Sequence, residues 1–534
     1  MALRRKFLAC ALSIVGGLYG PGATALPFSG SSPCAIASLY PERQAALAGP
    51  VSFGKKTSPP RNVVNRFPTV EGPITGGRHG WPLHCYYGDI GEVGYREEEF
   101  FISGQAARYY IDGLYTRDGM WSIHEGVGEN LPYKTRMLVR TPLDPRQFNG
   151  TVVVEWINES SATDMISDPP GLQDGFVYVA ITAQPDGING TSKETANAGS
   201  DDTSGGLKVW DPERYGTLEV PGTNGSNDYW SYDIFTQVGR LLKSSPSQIL
   251  RGLKVQHVIG YGISQSGTFM NSYINGVQPL VNVYDGLIPG MASGHLYPFE
   301  KQQVIRPPYE SNIRVDSKIK VFTLNSETET TTYSLEVQPN TDKFRYWDVA
   351  GASHACNPQL ALVRLKTDRD GVPGTGDFNG GFEGKFGFRP PVGVGSEVCW
   401  FWTLDAIIHW MHKWVNGEAE PPRITTMSPG LLRDQYGNAM NGVRLPELEV
   451  PIATYVGQGL AGATTPFTAA ELNVLYPTHE DYVNKITAAA IAAEERGVIL
   501  PYRVEAYIED AKRAQVPPPL DTPPDLPPPP GLPN

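Results

Sequence analysis

Seven short runs rich in Val, Ile, Leu, Tyr and Phe recur between residues 136 and 351 and constrain the chain more than any other feature. They are "RMLVRTP", "TVVVEWIN", "FVYVAITAQ", "VQHVIGYG", "VYDGLIPG", "IKVFTLNS" and "FRYWDVAG". Each ends in turn residues, and several are continuously apolar rather than alternating, as strands buried on both faces must be. Between them lie helix-periodic segments such as "DIFTQVGRLLKS" and "GTFMNSYINGVQ". Strands alternating with helices predict βαβ units and an α/β architecture with a mostly parallel central sheet flanked by helices. "VCWFWTLDAIIHWMHKWVNG" (398–417), apolar on most sides and closed by Gly417, predicts a last long helix lying on that sheet.

The remaining segments organise around this core. Residues 1–25 read as an export signal: Arg4, Arg5 and Lys6 precede an apolar stretch, and "ATA" ending at Ala25 offers the small residues of a cleavage site. Residues 26–94, rich in Pro, Gly and Ser, predict an N-terminal wrap, and 95–515 the main domain. Stretches near 160–230 and 357–397 are too long and too Gly/Asp-rich for tight connections and predict lid-like insertions over the sheet. "DRDGVPGTGD" (Asp368–Asp377) lacks the ligand spacing and terminal Glu of an EF-hand loop, so it reads as a solvated turn. The Pro-rich stretch 516–534 cannot build a core.

Charge and cysteine content narrow the function classes. A net charge of −12 leaves no basic field for nucleic acid. No apolar run after the leader is long enough to predict a membrane span. Cys34, Cys85, Cys356 and Cys399 follow the leader, an even number suited to an oxidising, secreted or periplasmic location; neighbourhood favours Cys34–Cys85 and Cys356–Cys399. Asn149, Asn158, Asn189 and Asn224 head N-x-[ST] triplets, glycan acceptors if the source is eukaryotic.

The run "HVIGYGISQSGTFMNSY" carries the chemistry. A serine nucleophile needs a sharp, exposed turn between strand and helix, a base, and donors for the oxyanion. The turn demands small residues two before and two after the serine. Around Ser264 those places hold Gly262 and Ser266. Gly267 reads as part of the helix start. In this arrangement an acid and a histidine follow at later strand ends, in that order. "KVFTLNSETE" supplies Glu329, with Glu327 as the alternative acid, and "FRYWDVAGASHAC" supplies His354. His295, after another strand-like run, is the rival base. His409 and His412 lie in the apolar helix, His79, His84 and His124 precede the serine, and His257 sits in the strand before it. The backbone N–H of Gln265 and one from Ile157 or Asn158, after "TVVVEW", are the candidate oxyanion donors. No metal or organic cofactor is required by this chemistry.

These residues also carry a resemblance. "VVVEWIN", "YVAITAQPDG", "GYGISQSG", "VYDGLIPG", "NSETET" and "FRYWDVAGASHA", with "PELEVPIATYVG" further on, look like bacterial and fungal α/β-hydrolase domain-containing proteins with a G-x-S-Q-S-[AG] elbow. The similarity spans roughly 95–515. It implies an α/β-hydrolase fold with nucleophile Ser264 and histidine His354; the family's S-E-T-D falls on Ser326 to Glu329, with Glu329 in place of Asp. The expected function is a secreted serine hydrolase that cleaves a small-molecule or polymeric carboxylic ester through an acyl-enzyme, the ester being a fold-level analogy. An acyltransferase or amidase with the same triad, or a non-catalytic binding protein on this fold, is the alternative.

Overall fold

The computed structural model describes residues 64–160, 162–190, 206–222, 227–292, 294–300, 311–332, 337–372, 395–428 and 430–519. The leader, Cys34, Asn224, residues 373–377 of the stretch Asp368–Asp377 and the Pro-rich stretch from 520 onward lie outside them.

All seven runs form strands, and they join two further strands in one nine-stranded sheet. The strands are β1 (Thr69–Glu71), β2 (Tyr95–Ala106), β5 (Leu131–Pro142), β6 (Thr151–Trp156), β7 (Val177–Ile181), β8 (His257–Ile263), β9 (Gly286–Gly290), β10 (Lys320–Ser326) and β11 (Phe344–Val349). A small hairpin of β3 (Tyr109–Ile111) and β4 (Ile123–Glu125) intervenes, and β12 (Ala453–Val456) pairs with β13 (Ala463–Pro466) near the C-terminus. The order across the main sheet is β1-β2-β5-β7-β6-β8-β9-β10-β11. Strands β7 to β11 are parallel to their neighbours β6, β8, β9 and β10, whereas β1, β2 and β5 form an antiparallel edge.

Continuous apolar runs arise because both faces are covered. Successive side chains of a strand point to opposite faces. Along β6, Val152, Val154 and Trp156 join the cluster that includes Ile234, Phe235 and Val238 of the helix Ser231–Lys243. Val153 points the other way and joins Tyr178, Ile259 and Phe322 against Leu404, Ile407 and Met411 of the helix Phe401–Val415. That helix is the one expected at 398–417.

Three expectations change in detail. Strand β2 continues to β1, so the sheet extends into the segment read as a wrap up to residue 94. The described start of the 357–397 insertion is a helix, Asn357–Asp370, opened by Pro358 in its first turn and closed by Gly371 at φ 61°. Proline pre-sets the first turn and glycine tolerates the left-handed closing position. After residue 420, where "AAELNVLY" and "YVNKITAAAIAAEERGV" predict a helical pair, the structure has that pair as Ala469–Leu475 and His479–Glu495 and adds a further helix, Pro501–Arg513.

Candidate active site

Strand β8 is central in the parallel part of the sheet and ends directly at Ser264, which precedes the helix Gln265–Ser272. Ser264 has φ 62° and ψ −116°, a conformation that costs a non-glycine residue about 1–3 kcal/mol and persists only when its surroundings hold it. They do. Ser264 N–H donates to the carbonyl of Gly290 at 2.9 Å, and Thr268 N–H to that of Ser264 at 2.9 Å.

The small residues around the turn have distinct jobs. A Cβ on Gly262 would lie 2.7 Å from the Ser266 carbonyl oxygen. Ser266 is fully buried, and its Oγ accepts from Ile263 N–H at 2.9 Å while donating to the Ile263 carbonyl at 3.0 Å. It therefore stitches the strand end to the helix start as well as being small. Gly267, expected only to begin the helix, is a second steric requirement: its Cβ would stand 2.3 Å from the Gly290 carbonyl oxygen.

The histidine arrives on the turn after β11. His354 Nε2 lies 2.9 Å from Ser264 Oγ, and its Nδ1 lies 2.5 Å from Glu329 Oε1. With a carboxylate on Nδ1 the ring proton belongs there, which leaves Nε2 as an acceptor facing the serine hydroxyl. The turn is held from several sides. His354 N–H donates to Thr328 Oγ1 at 3.0 Å, and Trp400 Nε1 donates to the His354 carbonyl at 3.1 Å. The Cys356–Cys399 disulfide then ties the turn to the segment that opens the helix Phe401–Val415.

Glu329 sits in the first turn of the helix that begins immediately after β10. Its Oε2 accepts from Ser326 N–H at 2.9 Å and from Ser326 Oγ at 2.5 Å. Burial by itself pushes the Glu329 carboxyl up. The charge of His354 and the hydrogen bonds from His354 and Ser326 outweigh it and hold the group below the usual glutamate range.

The other candidates lie elsewhere. Glu327 is fully buried, pairs with Arg433 through Oε1, and accepts Gly351 N–H on Oε2 at 3.0 Å. The structure thus brings Glu329, and not Glu327, to the imidazole. His295 accepts Asn271 Nδ2 on its carbonyl at 3.0 Å, and His412 Nδ1 is 2.8 Å from Thr151 Oγ1 at the far end of β6. His84 is buried, which lowers it to about 4.

Both candidate oxyanion elements meet beside the serine. Gln265 is the first residue of the helix after Ser264. Asn158, beyond the end of β6, donates from Nδ2 to the Ile263 carbonyl at 3.0 Å, while its own carbonyl accepts Met165 N–H at 2.9 Å. Ile157 N–H is taken by the Ile181 carbonyl at 3.2 Å.

Sequence reasoning did not single out Thr328 or Trp400, nor give Ser326 a function. Only the run "SETE" hinted at the first and last, since Ser326 and Thr328 alternate with the two acids. Among the described residues there is no group of three or more His, Cys, Asp or Glu side chains arranged to hold a metal ion. No helix among them is long and apolar enough to cross a membrane.

A mostly parallel sheet whose central strand turns through a strained serine into a helix, with an acid after β10 and a histidine after β11, defines an α/β-hydrolase fold. The chain belongs to the family described as "Alpha/beta hydrolase domain", whose model matches residues 70–509. A comparison with curated proteins finds no match. Among solved structures, a putative dienelactone hydrolase from Klebsiella pneumoniae is 13% identical, with 48% of this chain and 88% of that one covered and a TM-score of 0.25. The cell-wall-degrading esterase LipA of Xanthomonas oryzae is 11% identical over 38% of this chain and 47% of its own, TM-score 0.21. A bacterial brefeldin A esterase is 12% identical over 36% and 41%, TM-score 0.19.

Proposed function

We propose that the protein is a serine hydrolase acting on a carboxylic ester. The observation that carries this reading is the unbroken series of hydrogen bonds from Ser264 Oγ through both nitrogens of His354 to Glu329. In the reaction, Ser264 Oγ attacks the substrate carbonyl carbon as His354 Nε2 takes its proton. The backbone N–H groups of Gln265 and Asn158 receive the oxyanion; the neighbouring amides are already engaged, Ile157 with the Ile181 carbonyl, Glu159 with Gln265 Oε1 and Ser160 with Asn158 Oδ1. Collapse of the tetrahedral intermediate expels the alcohol, which takes the proton back from Nε2, and leaves an acyl group on Ser264. Water then attacks the acyl carbon as His354 Nε2 takes its proton, and collapse of the second tetrahedral intermediate releases the carboxylic acid while Ser264 Oγ takes that proton back. Glu329 holds Nδ1–H in place and stabilises the imidazolium.

The basic-apolar leader and the Cys356–Cys399 disulfide support an exported enzyme. Fluorophosphonate labelling tests the core of the reading. Wild type is expected to label and Ser264→Ala not to; equal labelling of the two, or none of wild type, would mean that this serine is not a nucleophile. A panel of p-nitrophenyl esters of graded acyl length then reads turnover, and an added alcohol or amine that captures the acyl group would identify a transferase instead.

A further inference from the structure

The residues on either side of Ser264 reach across to one loop. On one side the carbonyl of Ile263 accepts Asn158 Nδ2 at 3.0 Å; on the other, the side-chain Oε1 of Gln265 accepts the backbone N–H of Glu159 at 3.1 Å. Glu159 is in turn fully buried, and its carboxyl oxygens accept Gln184 N–H at 3.0 Å and Gly187 N–H at 2.6 Å. Gln184 follows β7, Asn158 and Glu159 follow β6, and Ser264 follows β8, and these three strands are neighbours in the sheet. A single line of hydrogen bonds therefore crosses three adjacent strand ends, starting from the residues that flank the serine.

We propose that the Gln265 side chain is a positioning residue: it sets the spacing between its own backbone N–H and the loop 158–160, and so the width of the oxyanion hole. This rests on the proposed hydrolase reading. An oxyanion hole works only if its donors are already aimed where charge develops, and a displacement of about 1 Å can cost a factor on the order of 100. The two candidate donors follow adjacent strands whose ladder ends at Trp156 and Gly262, so beyond those residues backbone pairing between β6 and β8 no longer holds their separation. The Gln265–Glu159 bond does, because it joins the residue that carries one donor to the loop that carries the other. The Asn158–Ile263 bond fixes the opposite side of the serine, so the loop cannot pivot about a single contact. The bonds from Gln184 and Gly187 to the Glu159 carboxyl oxygens keep the loop from following a displaced Gln265.

Gln265→Met, which keeps the length of the side chain and removes the acceptor, tests the assignment. Expected is a kcat lowered roughly 10- to 100-fold with KM changed less than about threefold. The affinity of an alkyl boronic acid, which forms a tetrahedral adduct on Ser264, is expected to fall by the same factor as kcat/KM. Thermal unfolding serves as the control for folding, and Asn158→Leu repeats the measurement from the other side of the serine. Unchanged kcat in a folded Gln265→Met variant overturns the proposal, as does a kcat loss with boronate affinity intact. Wild type that neither labels with fluorophosphonate nor turns over esters would refute the hydrolase reading itself, a result distinct from either of these.

Discussion

The choice between the two acids of "SETE" can be tested with one pair of isosteric variants. In Glu329→Gln the new amide must satisfy three groups: His354 Nδ1 at the Oε1 position, and the N–H and hydroxyl of Ser326 at the Oε2 position. Ser326 N–H can only donate, so the amide oxygen must face Ser326 and the amide NH2 must face the imidazole. An NH2 on Nδ1 makes that nitrogen an acceptor and moves the ring proton to Nε2. Nε2 then points an N–H at Ser264 Oγ and cannot take its proton. The same inverted tautomer in another serine-hydrolase triad costs about 10⁴-fold in kcat, or about 5.4 kcal/mol of transition-state stabilisation. Glu327→Gln should behave differently. It weakens the pair with Arg433 and leaves the imidazole untouched, so stability falls by about 2 kcal/mol while kcat stays within about tenfold. The assay is kcat on p-nitrophenyl acetate at pH 8 beside urea unfolding of each variant. Glu329→Gln with more than a tenth of wild-type kcat, or Glu327→Gln inactive at full stability, refutes the argument. The pH dependence gives a second readout. A carboxyl held below its ordinary value near 4.5 contributes stability that is full above that value and lost as pH falls through the lower folded value. The stability gap between wild type and Glu329→Gln should therefore be full near neutrality and shrink below about pH 4.5.

Two stability predictions complete the set. Replacing Cys356 and Cys399 together by Ala opens a bridge with a sequence separation of 43 and should cost about 4 kcal/mol by chain entropy, read by urea unfolding; a loss under about 1 kcal/mol would show that the bridge constrains little. Gly267→Ala places a Cβ 2.3 Å from the Gly290 carbonyl oxygen, so a loss of roughly 3 kcal/mol is expected; wild-type stability would mean that β9 can yield at that point.

The limits of the sequence reading follow from what local patterns encode. Strand β2 escaped the list of apolar runs because "YREEEF" looks solvated. In the fold Glu97 pairs with Arg140 at 2.6 Å, Glu98 with Arg251 at 2.5 Å and Glu99 with Arg214 at 2.6 Å, partners 43 to 153 residues away. Burial of paired charges leaves no hydrophobic signature. The helix Asn357–Asp370 was hidden in the same way, since polar and charged residues on most of its faces blur any apolar stripe.

The sequence by itself determined the α/β architecture, because period and apolarity are local and the helix and strand lengths follow from them. It also narrowed the proposed chemistry to Ser264, His354 and one of two acids, because steric demand at the turn and the order of strand ends are one-dimensional properties. Only the tertiary structure decided which acid meets the imidazole. Glu327 and Glu329 share composition and neighbourhood, and their separation comes from where the helix after β10 points each side chain: toward Arg433 and Gly351, or toward His354. The supports of the histidine turn, Thr328, Trp400 and the Cys356–Cys399 bridge, likewise belong to elements that meet only when the sheet has formed. Strand neighbours such as β7, β6 and β8 are set by non-local pairing, and that pairing brings Glu159 to the side chain of Gln265, next to the serine.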